Sequence, residues 1–391
     1  MKGETAILLL LLAAVPARAR EFAAGPSRLE ASGYLKELWD YSRSPIDGRP
    51  FFLNTSRARL TLEAKSSIFR AHVDYDHEVL AGSFFRTAEH RLFGLAEPDA
   101  WLDLDSDVDA SATSLWRHRL YRGWGGVESE DAALRFGRQR VAWGTGKLWN
   151  PTDVLNPYQP AALEREERRG VDALTLRQGL GELSQAELAY APHKDWIRSA
   201  VLTRGKSHWR DCDFSLMGGK VAGSTGSWIA GGDFAGDFAQ GSLHGEWSYT
   251  DPRSSRTFWR ASLGYEYSFG SEPRARWLKD STALIEYYHN GQGSAHPDGY
   301  DRAALLAGRS VALARDYAGA TFSKDLHPLL KLEGILIANL GDSSHFLAPS
   351  LQYNALPDLY LCAGWQRFGA GRDTEYGRQP NLVFLQAQYF F

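Results

Sequence analysis

The chain has 391 residues, with 44 lysines and arginines against 47 aspartates and glutamates, and a formal net charge of -3. This mildly acidic balance excludes a protein that binds a polyanion through bulk charge, so no nucleic-acid partner is expected. Beyond the first 19 residues there is no apolar run of about 20 residues, the length that a membrane-spanning helix needs. The remaining classes are a soluble protein and a membrane β-barrel, whose strands hide half of their residues from lipid.

The first 19 residues have the pattern of a secretory signal. Met1-Lys2 is a short basic start, Ala6 to Val15 is a continuous apolar run, and Ala17-Arg18-Ala19 is a small-x-small cleavage site. We therefore predict a cleaved signal peptide over residues 1–19 and a single domain over residues 20–391.

Strict alternation of apolar and charged residues begins at residue 57. It continues to residue 65, stops at a turn with two serines, and resumes from residue 69 to residue 75. A period of two with this contrast predicts strands that have one apolar side. The apolar side of the first of these strands carries Ala58, Leu60, Leu62 and Ala64.

The spacing of the candidate strands separates a barrel from a soluble β-sandwich. We count 18 strands, with 16 as the alternative; they begin near residues 33, 54, 68, 119, 132, 171, 184, 197, 211, 225, 240, 256, 280, 315, 328, 345, 358 and 381. The long gaps follow odd-numbered strands, at about residues 78–117, 144–170, 290–313 and 369–379, whereas the short turns follow even-numbered strands. Membrane barrels have short periplasmic turns and long outer loops. The sequence therefore predicts an all-β fold, a transmembrane antiparallel β-barrel with long extracellular loops.

A motif with an unusual order of residues lies between the fifth and sixth candidate strands. Gly137-Arg138-Gln139 is followed by Trp143-Gly144, by Asn150-Pro151-Thr152-Asp153 and by Asn156-Pro157. This order, GRQ, WG, NPxD and NP, resembles a porin-like family of bacterial outer-membrane proteins that is distantly similar to alginate-export-type barrels. The resemblance covers about forty residues with its motif, and it implies an outer-membrane barrel.

Two interpretations of this segment stay open. Each proline restricts the residue before it to an extended conformation, so the two Asn-Pro pairs set turns six residues apart and the loop is then a structural, self-neutralising surface feature. Alternatively, its three acids and three bases between residues 164 and 169 fold inward and pair with charges of the lumen as a constriction. The constriction-loop candidates are Asn150, Asp153, Asn156, Glu164, Arg165, Glu166, Glu167, Arg168 and Arg169.

The polar faces of the first six strands give candidates for the lining of a pore. A ring of arginines favours anions, and a mixed ring orients dipolar solutes. We predict a basic wall with a mild anion preference; the alternative is that these arginines are paired polar filler. Because Gly137 breaks the alternation, the directions of Arg138 and Arg140 stay open. The pore-lining candidates are Arg57, Arg59, Glu63, Arg70, Asp74, Arg135, Gln139 and Arg177.

The last strand begins at Leu382 and alternates to the end of the sequence. Its apolar side carries Tyr389 and Phe391, and Gln386 and Gln388 lie on the other side. This ending resembles the C-terminal signal that the barrel-assembly machinery of bacterial outer membranes recognises, with Tyr389 and Phe391 as the signal residues. We expect the strand to close the barrel by pairing with the strand near Gly33.

Other motifs argue against chemistry carried by the chain itself. The acidic segment Asp103 to Asp109 lacks the glycine and the final acid of a calcium loop and is predicted to be an acidic surface loop, so no metal site is expected. Scattered histidines without a neighbouring nucleophile motif predict no catalytic residues and no enzyme. No Cys-x-x-Cys-His is present, and no cofactor is expected. Cys212 and Cys362 are predicted to be unpaired, with a disulfide as the alternative.

Together these features predict an outer-membrane porin or channel through which small hydrophilic solutes diffuse passively. The main alternative is a structural sheath or export conduit for a partner, such as a multihaem cytochrome or a polysaccharide. A third possibility is a soluble periplasmic binding module. The expected partners are outer-membrane lipid, the barrel-assembly machinery and a small solute of unknown identity. A homo-oligomer and a periplasmic or extracellular partner protein both stay open.

Overall fold

The computed structural model describes residues 20–95, 100–157, 159–165, 167–221, 227–253, 255–270, 275–302, 305 and 310–391. The predicted signal peptide and the constriction candidate Glu166 lie outside these residues. Within these ranges, no helix is both long enough and apolar enough to span a bilayer.

The described chain is built almost entirely of β-strands. An α-helix, α1 (Ala88–Phe93), and short 3₁₀ turns at Ser83–Arg86, Trp196–Arg198, Arg276–Leu278 and Pro297–Gly299 lie in the connections. The strands are β1 (Arg20–Ala24), β2 (Ser27–Arg43), β3 (Pro50–Ser66), β4 (Phe69–Gly82), β5 (Asp105–Ala110), β6 (Ser114–Glu128), β7 (Ala132–Gln139), β8 (Val171–Gly179), β9 (Gln185–Ala191), β10 (Ala200–Trp209), β11 (Cys212–Val221), β12 (Ser227–Phe238), β13 (Gly241–Asp251), β14 (Phe258–Phe269), β15 (Ser281–Asn290), β16 (Asp316–His327), β17 (Leu330–Asn339), β18 (His345–Leu356), β19 (Leu359–Gly369) and β20 (Leu382–Phe390).

Strands β2–β4 and β6–β20 form a closed antiparallel barrel of 18 strands. Each strand pairs with the next, and the seam joins β2 to β20 from Tyr34 opposite Phe390 to Tyr41 opposite Val383. The amide of Gly33 donates to the carbonyl of Phe391 at 2.8 Å, and the amide of Phe391 donates back at 3.0 Å. Both the predicted strand number and the predicted pairing near Gly33 are confirmed.

The long connections also fall where the gap pattern predicts them, after β4, β7, β15 and β19. Two strands were not predicted. β1 pairs with residues 27–31 of β2, on the same edge of β2 that pairs with β20 further along the strand. β5 pairs with residues 115–119 of β6. The predicted acidic surface loop over residues 103–109 is exposed except at Leu104 and Asp105, but from Asp105 onwards it forms the strand β5. Asp105 forms ion pairs with Arg119 at 3.3 Å and with Arg169 at 2.8 Å.

The two faces of the wall differ as a membrane barrel requires. On β15 the outward Ile285 is 65% exposed, whereas the neighbouring Glu286, which points inward, is 3% exposed. Outward aromatic side chains such as Trp228, Trp247 and Trp259 are about half exposed. This is the pattern of apolar residues outside and polar residues inside that transmembrane barrels show.

The interior of the barrel also contains packed apolar groups. Leu148 and Trp149, from the connection between β7 and β8, belong to one buried cluster with Tyr288 and Tyr317 of the wall. A second cluster joins Trp143 of the same connection to the inner faces of β8 to β12. The β7–β8 connection therefore lies inside the barrel.

Candidate functional site

We call residues 140–170, which connect β7 to β8, the inner loop. It has two lobes. Lobe one, residues 144–152, contacts β13, β15 and β16, and lobe two, the described residues within 157–167, contacts β2, β3 and β19. β3 and β13 are nine strands apart in the 18-stranded barrel, on opposite sides of it. The inner loop therefore crosses the interior and is fixed to both walls.

The two lobes share a base that the NPxD…NP motif forms. The side chain of Asn156 accepts a hydrogen bond from the amide of Val141 at 3.0 Å and donates to the carbonyl of Arg169 at 2.7 Å. Asp153 accepts from the amide of Asn156 at 3.1 Å and pairs with Arg168 at 3.0 Å. Burial raises the pKa of Asp153 to about 7, even though the Asn156 amide and the Arg168 cation oppose the shift. These side chains tie the start, the middle and the end of the inner loop together.

Lobe one is held by the carboxylate of Glu246 on β13. Its oxygens accept hydrogen bonds from the amides of Thr145 and Gly146, at 2.5 Å each, and from the amide and hydroxyl of Thr152, at 3.2 and 2.9 Å. At Gly144 the backbone has φ +103°, and a Cβ atom there would lie 2.5 Å from the Glu246 carboxylate. Glycine is therefore required for this close approach.

Glu286 on β15 holds the rest of lobe one. It accepts hydrogen bonds from the amides of Lys147 at 3.0 Å, Leu148 at 3.3 Å and Trp149 at 2.8 Å, and it also contacts His244 at 3.1 Å. The Trp149 ring then stacks on Tyr288 with a centroid distance of 5.3 Å. Sequence reasoning missed both Glu246 and Glu286. A single acid on the polar face of each strand was the available signal, but nothing in the sequence links it to a distant loop.

Lobe two is held by ion pairs. Glu164 lies 2.9 Å from both Lys36 and Arg57, and Glu167 lies 2.7 Å from Arg59. Burial opposes the charge of Glu167, but Arg59, Lys36 and Arg57 outweigh it and lower its pKa to about 2. The pKa of Glu164 is lowered in the same way, by Arg57 and Lys36 against burial. Both glutamates are therefore ionised at every pH of physiological interest.

The arginines of the predicted basic wall have carboxylate partners in the wall itself. Arg57 contacts Glu78 at 2.6 Å, and Arg59 contacts Asp76 at 2.6 Å. Arg117 on β6 contacts the other oxygen of Glu78 at 2.7 Å. The acids of β4 thus lie between arginines of β3 and β6, so Arg57 and Arg59 are not uncompensated cations.

The other pore-lining candidates are spread along the wall. Asp74 contacts His72 at 3.0 Å, and Glu63 lies 3.3 Å from the other nitrogen of the same ring. Both Arg70 and Arg135 pair with Glu128. Gln139 donates to the carbonyl of Ala173 at 3.0 Å, and Arg177 is exposed on β8.

Among the remaining inner-loop candidates, Asn150 donates to the carbonyl of Gly146 at 2.9 Å, and Arg165 is half-buried. Arg138, whose direction the sequence left open, is buried against Asp172 at 2.9 Å. In the described ranges, no group of three or more histidine, cysteine or acidic side chains could hold a metal ion.

A closed barrel of 18 antiparallel strands, apolar outside and charged inside, is the architecture of outer-membrane channels. No protein-family model matches the sequence, and no curated protein matches it either. Solved structures of this architecture do match. The outer membrane protein OprD from Pseudomonas aeruginosa is 13% identical, with 96% of this chain and 95% of that chain covered and a TM-score of 0.54.

Two further solved structures match over almost their whole length. OccK5 (OpdH) from Pseudomonas aeruginosa is 10% identical with a TM-score of 0.56, and OccAB2 from Acinetobacter baumannii is 9% identical with a TM-score of 0.55. Each match covers 93% of this chain and 98% of the other chain. At these identities the similarity shows the fold alone.

Proposed function

We propose that the protein is an outer-membrane channel through which small hydrophilic solutes diffuse, with the inner loop as its constriction. One observation carries the proposal: the inner loop crosses the interior and is attached to opposite walls, by Glu246 and Glu286 at one side and by Glu164 and Glu167 at the other. A loop in this position narrows a pore. It also occupies the space that a sheath would need for a partner protein, which argues against that alternative.

The proposal includes export by the predicted signal peptide, residence in the outer membrane and no enzymatic step. It also includes membership of the porin-like family with the GRQ, WG, NPxD and NP motif, because Gly144, Asp153 and Asn156 of that motif have structural tasks in the inner loop.

We propose that the mild anion preference arises from positive charge near the base of the inner loop, because the charges of Arg57 and Arg59 are balanced by Glu78 and Asp76. Burial, together with the nearby cations Arg168 and Arg122, lowers the pKa of Arg140. These three arginines therefore lie within electrostatic reach of one another. The adjacent Asp153, whose pKa is raised to about 7, pairs with Arg168 at 3.0 Å. Clustered positive charge of this kind attracts anions.

Deleting lobe two is the direct test of the constriction. The refolded protein is expected to give discrete conductance steps in a planar bilayer, and removal of residues 157–167 is expected to raise the conductance of each step because a wider cross-section carries more ions. The reversal potential in a salt gradient reports ion selectivity in the same recording. Deletion of residues 45–48, an exposed turn between β2 and β3, is the control and should leave the conductance of each step unchanged. Absence of steps, or an unchanged step size in the lobe-two deletion, would refute the proposal.

The terminal ring offers a separate test of the predicted assembly signal. A Cβ atom on Gly33 would lie 2.8 Å from the Phe391 ring, so this ring covers the glycine at the seam, whereas Phe390 packs on Tyr34 at 5.9 Å. Phe391→Ala is expected to lower the amount of folded barrel in cells far more than it lowers refolding in detergent, where no assembly machinery acts. Phe390→Ala is the control with the same loss of ring area. Heat-modifiable gel migration measures both, and equal losses in cells and in detergent would exclude a signal role.

A further inference from the structure

An uncharged row of cross-strand partners crosses the wall near the turn between β3 and β4. Phe22 of β1 lies opposite Leu29 of β2, and Leu29 lies opposite Ala64 of β3. Ala64 in turn lies opposite Ala71 of β4, which lies opposite Gly125 of β6. We call these five residues the apolar row. They belong to the outward face of the wall, because the inward positions of β2, such as Tyr34 and Lys36, alternate with that of Leu29.

The apolar row lines a groove of about 690 Å³ in the outer surface of the barrel. Small residues, namely Ala64, Ala71 and Gly125, leave room in its middle. The rings of Phe22 and Phe69 also line it and are 55% and 61% exposed. No acidic residue of the described chain lines the groove. Because the groove continues the outward apolar face of a membrane barrel, its natural occupant is a lipid.

A row of three basic residues lies next to the apolar row. Arg28 of β2 lies opposite Lys65 of β3, Lys65 lies opposite Arg70 of β4, and all three line the groove. We call them the basic row. Like charges directly opposite each other in a sheet are destabilising. Glu21 lies 3.4 Å from Arg28 and Glu128 lies 3.7 Å from Arg70, but Lys65 has no ion pair among the contacts of the described residues. A bound anion would relieve this repulsion.

The basic row lies one residue closer to the β3–β4 turn than the apolar row does. Alternation directs its side chains to the inner face, but Arg70 folds back over the turn and donates to the carbonyls of Ser67 and Phe69 at 2.8 Å each. Lys65 is exposed beside the same turn. Long basic side chains near the end of a membrane-spanning segment reach the interface in this way. The charged end of the groove therefore lies at the depth of lipid headgroups, and its apolar end points to the bilayer interior.

We propose that the groove binds one phospholipid with an anionic headgroup, taken from the leaflet at the short-turn end of the barrel. The basic row, with Lys65 at its centre, holds the phosphate, and the apolar row holds an acyl chain. A zwitterionic phospholipid offers the same phosphate and the same chains, but its headgroup cation is repelled by the basic row. This inference depends on the position of the barrel in a membrane and not on its function as a channel.

Lipid titration of the detergent-purified barrel, followed by native mass spectrometry, tests the headgroup preference. The probes are phosphatidylglycerol and phosphatidylcholine with identical acyl chains. The unmodified protein is expected to retain one phosphatidylglycerol at concentrations at which it does not retain phosphatidylcholine. Lys65→Gln should weaken phosphatidylglycerol binding about fivefold, because it removes one cation at the membrane surface. Lys331→Gln, at a lysine beside the β16–β17 turn, is the matched control and should change nothing.

Filling the groove tests the place of the acyl chain. A Cβ atom on Gly125 would lie 4.0 Å from the carbonyl oxygen of Arg70, an ordinary contact, so the wall accepts a side chain there. Gly125→Leu should weaken phosphatidylglycerol binding about tenfold, because roughly two methylene groups of the chain lose their burial. Gly205→Leu is the matched control on β10, where a Cβ atom meets nothing within 4 Å. Heat-modifiable migration checks folding, and Ala71→Leu replaces Gly125→Leu if that variant does not fold.

Two results would overturn the lipid site. One is equal retention of both lipids by the unmodified protein, and the other is equal phosphatidylglycerol affinity in Gly125→Leu and Gly205→Leu. A dimer in the mass spectrum that Gly125→Leu abolishes would show instead that a second copy of the chain covers the groove, which also contradicts the proposal.

Discussion

Replacing Glu246 and Glu286 together by alanine is expected to release lobe one from the wall and to raise the conductance of the barrel. Each carboxylate accepts successive backbone amides of residues 145–149, and these amides have no other acceptor in the described contacts. Removing the acceptor of a buried amide costs about 1–3 kcal/mol. Lobe one then loses several such bonds at once.

The double variant should therefore show larger conductance steps with more current noise. Its barrel should still close, because β13 and β15 keep their strand pairing. Bilayer recording measures the first effect and heat-modifiable migration the second. Ser248→Ala and Ser262→Ala, buried inward positions of β13 and β14, form the matched control. If the double variant is folded and its step size is that of the unmodified protein, lobe one is not positioned by these acids.

Replacing Glu164 and Glu167 together by glutamine is expected to shift the ion selectivity of the channel towards anions. The change keeps the size of both side chains but removes two negative charges from the surroundings of Lys36, Arg57 and Arg59. These cations then face the interior with less compensation, and a surplus of positive charge in a narrow pore favours anions. The reversal potential in a salt gradient should shift in the anion-selective direction, and lobe two should become mobile.

The pKa values give this pair a pH signature of its own. Because the pKa of Glu167 is lowered to about 2, its contribution to the attachment of lobe two is present at neutral pH and is lost only as the pH falls through about 2. Mild acidification of the unmodified protein should therefore leave lobe two attached, whereas the double variant lacks this attachment at every pH. Glu63→Gln, an exposed acid further along the same face of β3, is the control. An unchanged reversal potential in the double variant would contradict the assignment.

The barrel was predictable because two features can be seen in the sequence itself: the alternation within each strand, and the placement of the long gaps after odd-numbered strands. Even the glycine-rich stretch between residues 207 and 250, where alternation is blurred, forms β11 to β13 in regular register. β5 was missed because Asp105 and Asp107 oppose strand propensity. Its pairing depends on arginines of β6 that the pattern of residues 103–109 alone does not reveal.

The site was predictable only in part. The prolines after Asn150 and Asn156 indicate turns, and the charges between residues 164 and 169 suggest an inward fold. Which side chains pair depends on contacts between residues that are far apart in the chain. Glu164 and Arg57 are 107 residues apart, and Thr145 and Glu246 are 101 residues apart. The contact of Arg57 with Glu78 is shorter in range, because the two residues lie opposite each other in the β3–β4 hairpin, 21 residues apart. Alternation places Arg57 on the inner face but does not fix the strand register that sets this partner.

The attachment of the inner loop to opposite walls has a mechanical consequence. A ring of hydrogen-bonded strands resists stretching along its circumference but bends easily, so a wide barrel can flatten into an ellipse. A strut across the ring, fixed at Glu246 on one side and at Arg57 and Arg59 on the other, opposes that flattening. The segment that narrows the bore also holds its cross-section in shape.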